Sequence, residues 1–287
     1  MHGTISPLVQ RNSTRTSQSC AVSLDTSWSF SPGVLIALVG YAVIYGLRWR
    51  TSRREGGARA AGTWRAVAWA GGIACLFVAL VSPLDVLGEQ MASFHMVQHL
   101  LIADLAPILL TLALTKHILR PLTRRIHWLE RKAGPFGHPA FGVVAYVGAM
   151  WLWHVPYMYD AALRHSGVHV LEHLTFAAAG LLYWWHLLSP IRSRQRLSGM
   201  GPVAYMTTTK LHVGFLGILL AFSPELLYSP YDHAGTRWGM SALDDQHVAG
   251  LIMAVEQSIV MGIALAWLFM RMLSESEEEE QRAERYA

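Results

Sequence analysis

Two histidines stand four residues apart in FHMVQHL, His95 and His99, and the spacing returns in HVLEHL as His169 and His173. On an α-helix, residues four apart share a face about 6 Å apart along the axis. Neutral imidazole nitrogens are borderline-soft donors that suit copper or zinc, and imidazoles on adjacent helices are how bundles build metal sites. His154, in WLWHVPYMYD, and Asp245, in LDDQHVAGLIM, are further candidate ligands. Met96, Met253 and His247 could add to the set. A thioether would favour Cu(I), although methionine also commonly fills apolar gaps. Gln98, Glu172 and Gln246 adjoin these residues and could orient them by hydrogen bonds.

A deeper polar layer comprises Asp104, Lys210, His212 and Glu256. An ionised group near a bilayer midplane costs roughly 2.5–3.5 kcal/mol by insertion scales, so Lys210 is expected to pair with Asp104 or Glu256. A buried ion pair that fixes helix register outweighs a proton or ion relay here. Of the other histidines, His117, His127, His138, His165, His186 and His233 read as ordinary interfacial residues.

These residues must be positioned by apolar elements. The chain has 287 residues, 53% hydrophobic and 15% charged, whereas soluble domains carry about 25% charged residues. The fold class expected is all-α, a polytopic membrane protein built as a seven-transmembrane-helix bundle. The spans run 31–48, 64–83, 93–115, 139–156, 168–188, 202–222 and 246–270, each long enough for about 30 Å of hydrocarbon. Porin-like strands would instead alternate every second residue.

Basic residues cluster in alternate connections. Arg48, Arg50, Arg53, Arg54 and Arg59 follow the first span, Lys116 to Lys132 hold six after the third, and Arg192, Arg194 and Arg196 follow the fifth. The positive-inside rule then puts the N-terminus outside and the C-terminus in the cytoplasm. His95, His99, His154, His169, His173 and Asp245 all fall at the outer ends of their spans. Residues 1–30 read as a polar, disordered extracytoplasmic tail without the apolar core of a cleavable signal peptide. Residues 31–272 form the bundle and 273–287 an acidic, disordered cytoplasmic tail. Cys20 and Cys75 form no metal-knuckle spacing. Gly71, Gly72, Gly214, Gly217 and Gly262 are expected to let helices approach closely. The arginines lie in loops between spans, which argues against a nucleic-acid partner.

FHMVQHLL, WHVPYMYDAAL, LEHLTFAAAGLLYWW and DDQHVAGLIM, in that order, resemble the CtaG-type cytochrome c oxidase assembly proteins of bacteria over about residues 31–272. The resemblance implies a seven-helix protein of the bacterial plasma membrane that helps deliver copper to the oxidase, with its CuA centre as a candidate recipient, on the extracytoplasmic side. It further implies oxidase subunits or assembly intermediates, and an extracytoplasmic copper donor, as partners. The family's motif residues fall on His95, Gln98, His99, His154, Glu172, His173, Asp245 and Gln246. After GLIM the family often has Trp and then Pro-Gly, where this chain reads AVEQS with Glu256. A non-enzymatic copper carrier, with Cu(I) favoured over Cu(II), is therefore the leading expectation. The alternatives are a seven-span zinc-dependent membrane hydrolase and a bis-histidine haem protein.

Overall fold

A computed structural model describes residues 23–191, 197–232 and 236–286. Cys20, Arg192, Arg194, Arg196 and His233 lie outside the described residues. Among those described, the regular structure is helical apart from one isolated bridge between Arg237 and Met240. The helices are α1 (Pro32–Ala60), α2 (Thr63–Leu80), α3 (Pro83–Gly88), α4 (Ala92–Leu100), α5 (Ala106–Ala113), α6 (Thr123–Ala133), α7 (Pro139–Trp153), α8 (Pro156–Arg164), α9 (Ser166–Leu188), α10 (Gly201–Ala221) and α11 (Ala242–Tyr286). A π-helical segment, Leu101–Leu105, joins α4 to α5.

Among the described residues, five helical stretches are long and apolar enough to cross a membrane: Pro32–Ala60, Thr63–Leu80, Ala92–Ala113, Gly201–Ala221 and Ala242–Ser274. Their outward faces carry exposed Ile36, Val43, Val67, Leu211, Phe215 and Ile263, the composition of a lipid-facing surface. The chain is a membrane protein. The other two expected spans correspond to α7 and α9. α7 is apolar but has only 15 residues, about 22 Å of helix. α9 has 23 residues, and its apolar run is interrupted by His169, Glu172, His173 and His186.

Local chemistry explains several boundaries. Pro32, Pro139 and Pro156 open α1, α7 and α8, where proline's missing N–H would have had no helical partner. The Ser82 hydroxyl caps α3 by accepting from the Leu84 amide at 3.2 Å. Pro107 has no amide to donate back to the preceding turn, and the π-helical segment lies immediately before α5.

Close helix contacts fix the interior. A Cβ on Gly180 of α9 would lie 2.0 Å from the Ala103 carbonyl oxygen of the π-helical segment, so only glycine permits that approach. Between α10 and α11, a Cβ on Gly250 would lie 2.3 Å from the Ala221 nitrogen, and one on Gly217 2.9 Å from the Ala254 nitrogen. Gly72 packs equally tightly on Leu110, whereas Gly214 and Gly262 face open space and do not serve the packing role expected of them.

Of the expected N-terminal tail, residues 1–22 lie outside the described residues. Residues 23–31 are irregular but anchored: the Ser29 hydroxyl donates to Asp85 Oδ2 at 2.5 Å, and Asp25 and Gln90 exchange two hydrogen bonds of 2.9 Å. The acidic run expected to be disordered instead continues α11 to Tyr286. Its Glu, Gln, Arg and Ala residues are favourable helix formers.

Candidate metal centre

α4 begins without a cap of its own. The carboxylate of Asp245, on α11, supplies one. Oδ2 accepts from the Ala92 amide at 2.6 Å, and Oδ1 accepts from the Ser93 amide at 3.3 Å and the Ser93 hydroxyl at 2.5 Å. This satisfies orphan N–H groups at the helix start and places a negative charge at the positive end of its dipole. The first inward turn then carries His95 and the second His99.

His95, His99 and Glu172 are almost wholly buried. The His95 and His99 rings lie 4.2 Å apart between centroids, as do those of His169 and His173 on α9. Glu172 Oε1 stands 3.7 Å from His95 Nε2 and 3.5 Å from His99 Nε2. Both nitrogens of His95 and His99, Nε2 of His169 and His173, and both Glu172 oxygens have no hydrogen-bond partner among the described residues. Leaving one buried polar atom unsatisfied costs about 1–3 kcal/mol, and this is a cluster of them. Their donor atoms fall into groups of three within 4.8 Å of one another: His95, His169 and Glu172, and His99, Glu172 and His173. Nitrogen and carboxylate oxygen donors at such separations suit a transition-metal cation, which would give the carboxylate and one nitrogen of each coordinating ring a partner.

His154 adjoins the cluster without joining either group. Its ring is 6.3 Å from that of His99. Nδ1 lies 2.7 Å from the Met150 carbonyl oxygen, which can only accept, so Nδ1 carries the proton. Nε2 then presents a lone pair 3.4 Å from Met96 Sδ. Met96, Met253, His99, His154, Asp104 and Glu256 line one cavity of about 20 Å³, room for about one water. The π-helical segment accounts for Asp104 at this position. Where hydrogen bonds run i to i+5 a turn takes more residues than in an α-helix, so Asp104 rotates less far from the His99 face and lines the same cavity.

Other expected site residues have different partners. Asp245 is engaged at the start of α4, as described. Gln98 donates to the Ala79 carbonyl at 2.8 Å and to Asp85 at 2.7 Å. Gln246 accepts from the Leu227 amide at 2.7 Å and donates to the Glu225 carbonyl at 3.1 Å, and so holds the connection between α10 and α11. The His247 ring donates to the Ser223 carbonyl at 2.8 Å. In the deeper layer, Asp104 accepts from Tyr146 at 2.5 Å and Trp184 at 2.9 Å. Among the described residues no ion pair joins it to Lys210; two neutral donors meet its carboxylate instead. His212 is exposed and bonds the Thr208 carbonyl of its own helix.

An aromatic roof covers the cluster. The Tyr159 ring lies 5.0 Å from His95 and stacks on Tyr228 with centroids 3.8 Å apart. Tyr228 donates to the His154 carbonyl at 3.2 Å, and Tyr231 donates to the Gly88 carbonyl at 2.7 Å. Burial raises the Tyr159, Tyr228 and Tyr231 hydroxyls above the ordinary phenol range, so all three remain protonated donors. Sequence spacing gave no signal for this roof, because 228 and 231 lie in an irregular connection. Glu172 did carry one: three residues after His169 and one before His173, it shares their helix face.

Residues 43–275 match the model of a family described as cytochrome c oxidase caa3 assembly factor. No curated protein and no solved structure matches the chain.

Proposed function

The chain belongs to the cytochrome c oxidase caa3 assembly factor family, and on that footing we propose that it is a membrane-embedded carrier that delivers copper to the oxidase, at its CuA centre, on the extracytoplasmic side. The observation that carries this reading is the group of buried, unpartnered imidazoles around Glu172. His95, His99, His169 and His173 supply neutral nitrogens, and Glu172 supplies the charge that offsets a cation in a low-dielectric interior. His154, with Met96 and Met253 beside it, borders the site with the soft donors that suit Cu(I).

In this reading the bundle crosses the bacterial plasma membrane seven times, with the N-terminus outside. Arg48, Arg50 and Arg54 after the first span and Arg120, Arg124 and Arg125 after the third lie on the cytoplasmic side. The start of α4 and the roof of Tyr159, Tyr228 and Tyr231 are then extracytoplasmic, where a donor would load copper and an oxidase subunit or assembly intermediate would receive it. The roof keeps water from bound copper, and transfer requires it to open. A covered site favours a carrier over a zinc hydrolase, whose metal needs an open position for water.

Anaerobic Cu(I) titration of the detergent-purified chain tests the proposal, with Zn(II) as competitor and the absorption spectrum recorded alongside. The wild type should bind copper in preference to zinc and show no Soret band, and His95→Ala with His99→Ala should abolish binding. Full copper retention by the double variant, or a zinc-loaded chain with amidase turnover, would overturn it.

A further inference from the structure

The donors around Glu172 separate into two sets, and Glu172 alone belongs to both. The paired spacings on α4 and α9 arrange the imidazoles as two rungs. His95 faces His169 with ring centroids 5.7 Å apart and planes inclined by 16°. One turn deeper, His99 faces His173 at 5.8 Å. The diagonal from His95 to His173 is longer, 6.5 Å. Glu172 Oε1 lies between the rungs, at 3.7 Å from His95 Nε2 and 3.5 Å from His99 Nε2.

We infer that the centre holds two metal ions, one on each rung, bridged by the Glu172 carboxylate. The metal's identity rests on the copper reading above; the number of ions rests on the geometry. A single ion seated in either group of three would leave the other rung's nitrogens buried and without a partner, since neither nitrogen of His95 or His99 and neither Nε2 of His169 or His173 has a hydrogen bond. Two ions give one nitrogen of every ring on both rungs a partner. A carboxylate has two oxygens with about four acceptor positions, and both oxygens of Glu172 are buried and free of hydrogen-bond donors, as a bridge between cations requires. Helical bundles use inward-pointing glutamates with histidines for paired metal ions in this way. Charge agrees: two monovalent ions on neutral imidazoles would carry two positive charges into the interior, and Glu172 reduces the net to one.

Cu(I) titration against a chromophoric competing chelator counts the ions on the purified full chain. Two per chain are expected for the wild type. One is expected for His95→Ala/His169→Ala and one for His99→Ala/His173→Ala, with none when all four are replaced. A wild-type count of one overturns the two-ion centre and leaves the copper proposal standing; a count of none overturns both. Because paired alanines could disturb folding, the unaltered chain provides a second reading. After loading with Cu(II), bridged ions are magnetically coupled, and the integrated electron paramagnetic resonance signal should fall well below the copper content. A full spin count for two isolated ions overturns the bridge. Glu172→Gln, which preserves volume, should reduce the count from two to one, and a count of two in that variant also overturns it.

Discussion

Glu172 Oε1 and His99 Nε2 lie 3.5 Å apart on neighbouring helices, both buried and neither hydrogen-bonded to any of the described residues. A carboxylate without donors is an expensive object inside a membrane bundle, and its closest companions are imidazoles that lack partners themselves.

Substitution at this position separates stability from binding. Glu172→Gln removes the buried charge at constant size. The metal-free variant should therefore melt higher than the wild type, by an amount corresponding to about 1–3 kcal/mol. The rise in melting temperature on adding copper should shrink, because a ligand stabilises only in proportion to its affinity. Thermal denaturation with and without copper reads both effects. A lower metal-free melting temperature would contradict the account.

Asp245 tests the difference between a ligand and a cap. Asp245→Asn keeps an acceptor for the α4 amides, and Asp245→Ala keeps none. The alanine variant should lose about 1–2 kcal/mol of stability and the asparagine variant less, while copper stoichiometry in the asparagine variant stays at the wild-type value. Loss of copper from a well-folded Asp245→Asn protein would make the carboxylate a direct ligand.

Gly180→Ala would place a methyl 2.0 Å from the Ala103 carbonyl oxygen. Backbone cannot yield as a flexible side chain does, so α9 must shift from the π-helical segment, at the upper end of the about 1–3 kcal/mol typical of overpacking. That shift moves His169 and His173 relative to α4. Lower melting temperature together with weaker copper binding is expected. Gly214→Ala, where nothing lies within 4 Å, is the control and should neither lower the melting temperature nor weaken copper binding.

The sequence carried the four paired histidines legibly, because an i, i+4 spacing on an apolar helix puts both rings on one face whatever surrounds them. It also indicated where the long helices run. It did not reveal that α7 is only 15 residues long, since the apolar run through Trp151, Leu152 and Trp153 resumes at Val155 after the helix has ended. Asp245 was read as a ligand from its place near the histidines; its capping of α4, 153 positions away in sequence, depends on how α4 and α11 pack. Cost alone pairs Lys210 with Asp104 or Glu256, whereas the donors that meet Asp104, Tyr146 and Trp184, come from helices whose rotation no periodicity fixes.

Orientation in the membrane is open to a direct check. In a chain lacking Cys20 and Cys75, a cysteine replacing Tyr157, which is 80% exposed beside the roof, should react with a membrane-impermeant thiol reagent in intact cells. A cysteine replacing Arg124 should react only after permeabilisation. The reverse pattern would place the metal centre at the cytoplasmic face and remove the proposed handover to an extracytoplasmic oxidase centre.

The most direct test of the central claim is elemental analysis of the chain purified from copper-supplied cells, beside the His95→Ala/His99→Ala variant prepared identically. The account predicts stoichiometric copper on the wild type, background zinc, and no copper on a variant that still folds. A correctly folded wild type without copper, or a double variant that retains all of it, would contradict the account.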